Sequence, residues 1–186
     1  MRIISGDLKG KSIKFIKSKI TRPLKDSVKE NIFNILTHSK EIKLQIENTN
    51  VLDLYSGIGS FGLECISRGA KRVTFVEKDK IAFKKLKENL IGLSILEKAK
   101  IINKNIKDAL YKLNKEKYNI LFLDPPFKDK EYTKDLKILK KNSNLYKNHI
   151  IIIHREKRTS ENLDDTLNIK TIRQYGRSKI IFGKFR

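Results

Sequence analysis

Val51-Leu52-Asp53-Leu54-Tyr55-Ser56-Gly57-Ile58-Gly59-Ser60-Phe61-Gly62 is the stretch on which the fold turns. A short apolar run leads into three glycines, and a helical pattern opens behind them. Gly57 and Gly59 permit a tight turn and a close approach of backbone to ligand, while Gly62 lets a helix pack directly on a strand. Glu77 ends the next apolar run, twenty residues after Gly57. A carboxylate there can accept hydrogen bonds from both hydroxyls of a ribose. The plainer alternative is a glycine-bearing β–α turn with a surface glutamate, and the strand-before, helix-after context weighs against it.

The pattern repeats outward from this point. Apolar runs at 51–54, 72–76, 100–102, 119–123 and 150–153 alternate with helical stretches. One helix is predicted from Ser60 to Arg68, with Gly69 where a left-handed terminating residue belongs. Another starts near Asp79, with Ala82, Leu86, Leu90 and Leu93 on one face and Lys80, Lys84, Lys85 and Lys87 on a solvated one. Such alternation predicts an α/β fold, a mostly parallel sheet covered by helices on both sides. The tail departs from it: 167–173 and 179–185 flank Tyr175-Gly176-Arg177-Ser178 and read as an antiparallel strand pair. At the other end, residues 2–5 and 11–15 flank a glycine-bounded turn and read as a small β-hairpin. After Arg22-Pro23, Asp26 or Ser27 can cap a helix to about His38, its Val28, Ile32, Ile35 and Leu36 on one face. One domain is expected over 1–186, a basic extension at 1–40 and a catalytic core at 50–186.

Composition excludes several classes. No apolar run approaches the ~20 residues of a bilayer-spanning helix, and Arg2 is followed by no apolar segment of a secretory signal. The single cysteine, Cys65, excludes a disulfide framework and suits a reducing cytoplasm. With three scattered histidines it makes no ligand cluster, so no metal is expected. Lysine far outnumbers arginine, as AT-rich coding favours, yet 42 basic residues against 21 acidic ones exceed that bias. The net charge of +21 points to a polyanionic partner. Residues 1–30 carry nine basic and three acidic side chains, so the extension belongs to any nucleic-acid footprint.

Taken literally, Gly57, Gly59 and Gly62 match the dinucleotide fingerprint, which seats a pyrophosphate on the helix N-terminus. S-adenosylmethionine (SAM) offers a ribose and adenine with an ammonium and a sulfonium instead. Asp53 tilts the choice toward it, because a carboxylate beside a pyrophosphate sets like charges together. Asp124-Pro125-Pro126-Phe127 decides the matter. It follows the apolar run 119–123, at the strand end where open α/β sheets bind ligands. Consecutive prolines fix φ, remove two N–H groups and push Asp124 toward an extended conformation. The Asp124 carboxylate and the Pro125 carbonyl can then converge on the two N–H bonds of an exocyclic amine. Holding them localises the nitrogen lone pair and stabilises the positive charge that develops on it. Phe127 offers a face on which a flipped base can stack. The alternative is a proline-ended strand with a helix-capping Asp and a core Phe.

These motifs, with Arg2-Ile3-Ile4-Ser5-Gly6, Gly10-Lys11, Arg22-Pro23, Val28-Lys29-Glu30, Phe33-Asn34-Ile35-Leu36 and Ser67-Arg68-Gly69-Ala70, make the chain resemble the RsmD-type 16S rRNA (guanine-N2) methyltransferases. The resemblance runs over nearly the whole chain. It implies a seven-stranded Rossmann-like SAM-dependent methyltransferase fold with a small N-terminal hairpin. It implies that Gly57, Gly59 and Glu77 bind SAM, joined by Asp53, Tyr55, Ser56, Lys78 and Ile106, and that Asp124 with its prolines holds a guanine amine. It places Arg22 and Pro23 in a segment closing over the cofactor, and it leaves Asn105 and Asp108 as rivals for the adenine. His154 stands where the family carries an acid, and a surface residue with nothing to coordinate is expected ahead of a catalytic role. Arg2, Lys9, Lys11, Lys14 and Arg22 are expected to anchor phosphates of 16S rRNA or of a small-subunit assembly particle, with the enzyme a cytoplasmic monomer. Two acceptors would equally suit adenine N6 or a protein glutamine amide. A non-catalytic RNA-binding module on the same fold is the reading from another class.

Overall fold

A computed structural model of the chain describes residues 1–16, 24–113, 116–142, 145–160 and 162–186. Each of the five apolar runs forms a strand: β1 Asn50–Leu54, β2 Arg72–Val76, β3 Ala99–Ile102, β4 Tyr118–Leu123 and β5 Leu145–Glu156. With β6 Leu167–Tyr175 and β7 Ser178–Phe185 they make one seven-stranded sheet in the order β3-β2-β1-β4-β5-β7-β6. Pairing is parallel from β3 to β5, while β7 runs antiparallel to both β5 and β6. This is the Rossmann-like architecture that the alternation predicts. The first half, β3-β2-β1, is wound outward from β1 and the second half outward from β4, so the order reverses at the β1/β4 seam. Crevices for ligands open at such a reversal, beyond the carboxyl ends of the strands.

Helices cover both faces, which is why the strands read as unbroken apolar runs. Val51, Val73, Phe75, Ile120, Phe122, Ile150 and Ile152 share a core with α1 (Asp26–His38), α2 (Ser60–Ser67) and α3 (Lys80–Gly92). Their strand neighbours Leu52, Leu54, Val76, Leu121, Leu123, Ile151 and Ile153 face α4 (Ile106–Leu110) and α5 (Tyr132–Asn142). Every residue of α2 is buried. A Cβ on its Gly62 would lie 2.2 Å from Cε1 of Phe75, so only glycine lets this helix sit so close on β2. Gly69 takes φ +91° just past the helix, as its position predicts.

Three expectations need correction. The N-cap of α1 is Lys25, without a side-chain cap bond, so neither Asp26 nor Ser27 caps that helix. Strand β5 begins five residues before its apolar run, because its lead-in Tyr146–His149 is polar and mostly exposed and carries no hydropathy signal. The N-terminal hairpin amounts to a single bridge, Arg2 with Ser12, closed by backbone bonds from Ile3 to Lys11, Gly10 to Ile3 and Ile13 to Met1.

The arm lacks a full ladder because α2 supplies its partners. Ile4 and Ser5 donate their N–H groups to the two carboxylate oxygens of Glu64 (2.8 and 3.0 Å), and Leu8 donates to Oγ of Ser67 (3.0 Å). Gly6, at φ +82°, passes so close that a Cβ would meet the Ser67 carbonyl oxygen at 1.8 Å. Glu64 and Lys29 are both 0% exposed and sit 3.5 Å apart, with Arg68 2.9 Å from the same carboxylate. Lys29 also donates to the Arg2 carbonyl (2.9 Å), so one buried cation ties arm, α1 and α2 together. Removing either member of such a pair strands the other, at a cost of about 3–5 kcal/mol.

Candidate active site

The glycine loop leaves β1 and turns back into α2 through left-handed backbone at Tyr55 (φ +59°), Gly57 (φ +56°) and Gly59 (φ +90°). Nothing lies within 4 Å of where a Cβ on Gly57 would stand, whereas one on Gly59 would strike Leu86 at 2.5 Å. Gly57 therefore answers to the open side of the loop and Gly59 to packing on α3. Glu77 follows β2. Its Oε2 accepts the Gly57 N–H (2.7 Å) and its Oε1 the Asp79 N–H (2.7 Å). Two backbone donors orient the carboxylate, and each oxygen keeps a lone pair for a further donor.

Asp53 is buried beneath the loop, its Oδ2 accepting the Gly62 N–H in the first turn of α2 (3.0 Å). Its Oδ1 is buried with no hydrogen-bond partner among the described residues. Burial first, and then the charges of Asp124 and Glu77, push this carboxyl well above the ordinary carboxylate range against the pull of the Gly62 N–H. The three carboxyl groups stand at the carboxyl ends of the adjacent strands β2, β1 and β4. The donor set suits a ligand with a ribose and a cationic tail: an oriented carboxylate at 77, a partnerless acid oxygen at 53, and open space at Gly57.

Other residues expected to touch a cofactor are spent on holding the loop. Tyr55 donates its hydroxyl to Asp135 of α5 (2.8 Å), and burial with that carboxylate raises its pKa far above the usual phenol range. Ser56 bonds Val76 through both its N–H (3.0 Å) and its Oγ (3.3 Å). Asn105 caps α4, its Oδ1 accepting from the Asp108 N–H and its Nδ2 donating to the Asp108 carboxylate (both 2.9 Å). The two rivals for the adenine therefore form one capping pair. Ile106 is buried under them, and Lys78 is exposed beside Glu77. Asn103, which the sequence does not single out, donates to the carbonyls of Glu77 and Lys78 (2.8 and 3.3 Å). Arg22 and Pro23 lie outside the described residues. Arg2, Lys9, Lys11 and Lys14 are all exposed on the docked arm. The backbone of Lys14 is held at both ends by Asn89 of α3 (2.9 and 3.0 Å), whose amide also donates to Ile58 in the glycine loop (3.2 Å).

The tetrad stands at the end of β4, as its sequence predicts. Asp124 keeps 23% of its side chain exposed, Pro125 is buried, Pro126 is exposed and Phe127 half-buried. What grips it comes from the end of β5, thirty residues away, and differs from expectation. His154 is buried: its Nδ1 lies 2.8 Å from Oδ1 of Asp124 and its Nε2 2.9 Å from Oγ of Ser178 at the start of β7. The expected surface position fails because the β5–β7 pairing carries this residue beneath the tetrad. Phe127 packs edge-on against the imidazole, with centroids 5.7 Å apart. Arg155, 1% exposed, donates to four carbonyl oxygens: Pro125 (3.3 Å), Pro126 (3.0 Å), Phe127 (3.0 Å) and Asp129 (2.9 Å). Its guanidinium also lies over the Tyr132 ring at 4.6 Å. The Pro125 carbonyl thus has one lone pair engaged by Arg155, which leaves the other without a partner from that side chain. Successive strand residues point to opposite faces, so the end of β5 clasps the tetrad from both sides. The signal was there: a polar His-Arg-Glu triplet at the carboxyl end of a buried strand, the rule that marks the tetrad itself.

Residues 1–184 match the protein family described as "Conserved hypothetical protein 95". Among curated proteins, the chain is 36% identical over 159 residues to the Ribosomal RNA small subunit methyltransferase D of Haemophilus influenzae, covering 84% of this chain and 79% of that one. It is 38% identical over 156 residues to the protein of the same name from Buchnera aphidicola subsp. Baizongia pistaciae, covering 84% and 76%. A solved structure from Escherichia coli, described as a "putative methyltransferase", superposes with a TM-score of 0.81 at 26% identity, covering 100% of this chain and 98% of that one.

Proposed function

This chain belongs to the RsmD-type family of ribosomal RNA small subunit methyltransferases, and from that premise we propose that it methylates the exocyclic N2 amine of a guanine in 16S rRNA. Coarsely, it is an rRNA methyltransferase that uses S-adenosylmethionine. One observation supports an exocyclic amine as acceptor: an acid at the mouth of β4, held at Oδ1 with 23% of its side chain exposed, beside a carboxylate-lined glycine loop. The choice of guanine N2 over adenine N6 follows from the family resemblance.

Glu77 and the open face of Gly57 would hold the cofactor's ribose, and the pair at Asn105 and Asp108 would border its adenine. Asp53 would face its cationic tail, whose charge favours the ionised form of that buried carboxyl. The cofactor would supply an electrophilic methyl group, its sulfur keeping the electron pair of the broken S–C bond and leaving as a neutral thioether. Asp124 and the remaining lone pair of the Pro125 carbonyl take the two N–H bonds of the amine. They turn its lone pair out of conjugation with the ring and offset the positive charge that develops on nitrogen as the N–C bond forms. The nitrogen then sheds one proton, and Asp124 is the base in reach. Phe127 supports the splayed base. Residues 1–40 act as the RNA-contacting extension and 50–186 as the catalytic core of one cytoplasmic domain. The exposed Arg2, Lys9, Lys11 and Lys14 bind phosphates with an affinity that falls steeply with salt.

Labelled SAM offered with unmodified small-subunit particles, free rRNA, DNA and protein tests this reading by nucleoside analysis. Label is expected in N2-methylguanosine of the small-subunit RNA. Label in N6-methyladenine would overturn the substrate, and no transfer at all would overturn the activity.

A further inference from the structure

We propose that His154 is the residue that positions Asp124 for the methyl-accepting amine; this rests on the function proposed above. Asp124 sits on a loop after β4 with 23% of its side chain open to solvent, so its own backbone does not fix the plane of its carboxylate. The imidazole does. A carboxylate only accepts hydrogen bonds, so Nδ1 of His154 must carry the proton in the 2.8 Å contact with Oδ1. That leaves Oδ2 as the oxygen free for a substrate N–H.

The second ring nitrogen keeps the imidazole from turning. Nε2 meets Oγ of Ser178 at 2.9 Å, and a hydroxyl can donate or accept, so this contact survives in either charge state of the ring. Three elements therefore converge: β5 carries the ring, the β4 end carries the acid, and the start of β7 carries the hydroxyl. Phe127 closes the remaining side edge-on. Neighbouring charges are spoken for, since Arg155 points to the other face of the sheet and Glu156 is paired with Arg177 (2.9 Å). His154 touches no reacting atom in this scheme. It acts through Asp124.

Three substitutions separate positioning from mere packing. In His154→Asn the amide nitrogen falls where Nδ1 stands and can still donate to Asp124. In His154→Gln the amide reaches toward Nε2 and Ser178 and leaves Asp124 without its partner. His154→Ala removes both contacts. With small-subunit RNA as acceptor, kcat is expected to fall by up to about 100-fold in the Ala and Gln variants, the scale of a misplaced catalytic group. The Asn variant should recover most of it, with KM for RNA and the affinity for SAM unchanged in all three. A readout without turnover is the 15N spectrum of the imidazole: a protonated Nδ1 in the parent, whose resonance moves in Asp124→Ala. Gln recovering as well as Asn, Ala turning over at the parent rate, losses that track melting temperature, or an Nδ1 resonance indifferent to residue 124 would each overturn the proposal. If the parent protein transfers no label to RNA, the proposed function fails. If it transfers label and His154→Ala does so equally, only this inference fails.

Discussion

Arg155→Met tests whether the clasp on the tetrad holds energy. The guanidinium gives four N–H···O bonds of 2.9–3.3 Å to the carbonyls of Pro125, Pro126, Phe127 and Asp129 and is 1% exposed. Each charge-assisted bond contributes about 1.5–3 kcal/mol alone, but four bonds made by one side chain are not additive. Breaking a buried charged contact costs about 3–5 kcal/mol as a whole. Pro126 is exposed, so part of the lost bonding can be regained from water. That places the expected loss near 3 kcal/mol, or roughly 6–12 °C in melting temperature for a chain of this size. Arg155→Lys should lose nearly as much, because an ammonium keeps the charge but cannot span four acceptors. Thermal unfolding measures the loss, and methyl transfer to small-subunit RNA should fall about 10-fold or more as the turn loosens. SAM affinity should hold within about twofold, since none of these four contacts reaches the glycine loop. Melting within about 2 °C of the parent would show the four contacts to be idle and refute the reasoning.

Glu77→Ala should weaken SAM binding by at least about 10-fold in calorimetry, since it removes the proposed ribose acceptor and frees the Gly57 N–H. An unchanged affinity would remove residue 77 from the cofactor site. Gly62→Ala should destabilise the fold by about 1–3 kcal/mol in urea titration, because a Cβ would lie 2.2 Å from the Phe75 ring. Asp53→Asn tests linkage. A carboxyl whose pKa is raised on folding favours the folded state fully below its unfolded value, and that contribution is lost as pH rises through the folded value. Asparagine keeps an acceptor for the Gly62 N–H without the charge. The melting temperature of the variant relative to the parent should therefore climb from about pH 4 upward and level off above the raised pKa. A flat difference would place the Asp53 carboxyl in an ordinary environment.

The parts of the fold legible in the sequence were those whose cause is local. Gly57, Gly59 and Gly62 show in the primary structure because backbone conformation and helix–strand distance demand them at fixed spacing. The strands show because burial on both faces leaves uninterrupted apolar runs. Asp124 shows because two prolines mark it. What stayed hidden depends on partners distant in the chain. The roles of His154 and Arg155 exist only through β4 and β7. The arm reads as a hairpin from its own turn residues, yet its hydrogen bonds go to Glu64 and Ser67. Two anomalies were available in retrospect: Glu64, the one charge in the wholly buried α2, and Lys29, four residues before Phe33 on the buried side of α1.

The order of the strands has a consequence for how such a protein can change. The groups proposed for the methyl donor hang from β1, β2 and β3, and those proposed to grip the acceptor hang from β4, β5 and β7, so the seam is also a boundary between two inventories. Mutational drift on one bank can retune which nitrogen is presented without disturbing the bank that docks the universal metabolite. A scaffold divided in this way lends itself to diversification: new targets can be tried at 124–127, 154–155 and 178 while residues 53–62 and 77 stay as they are.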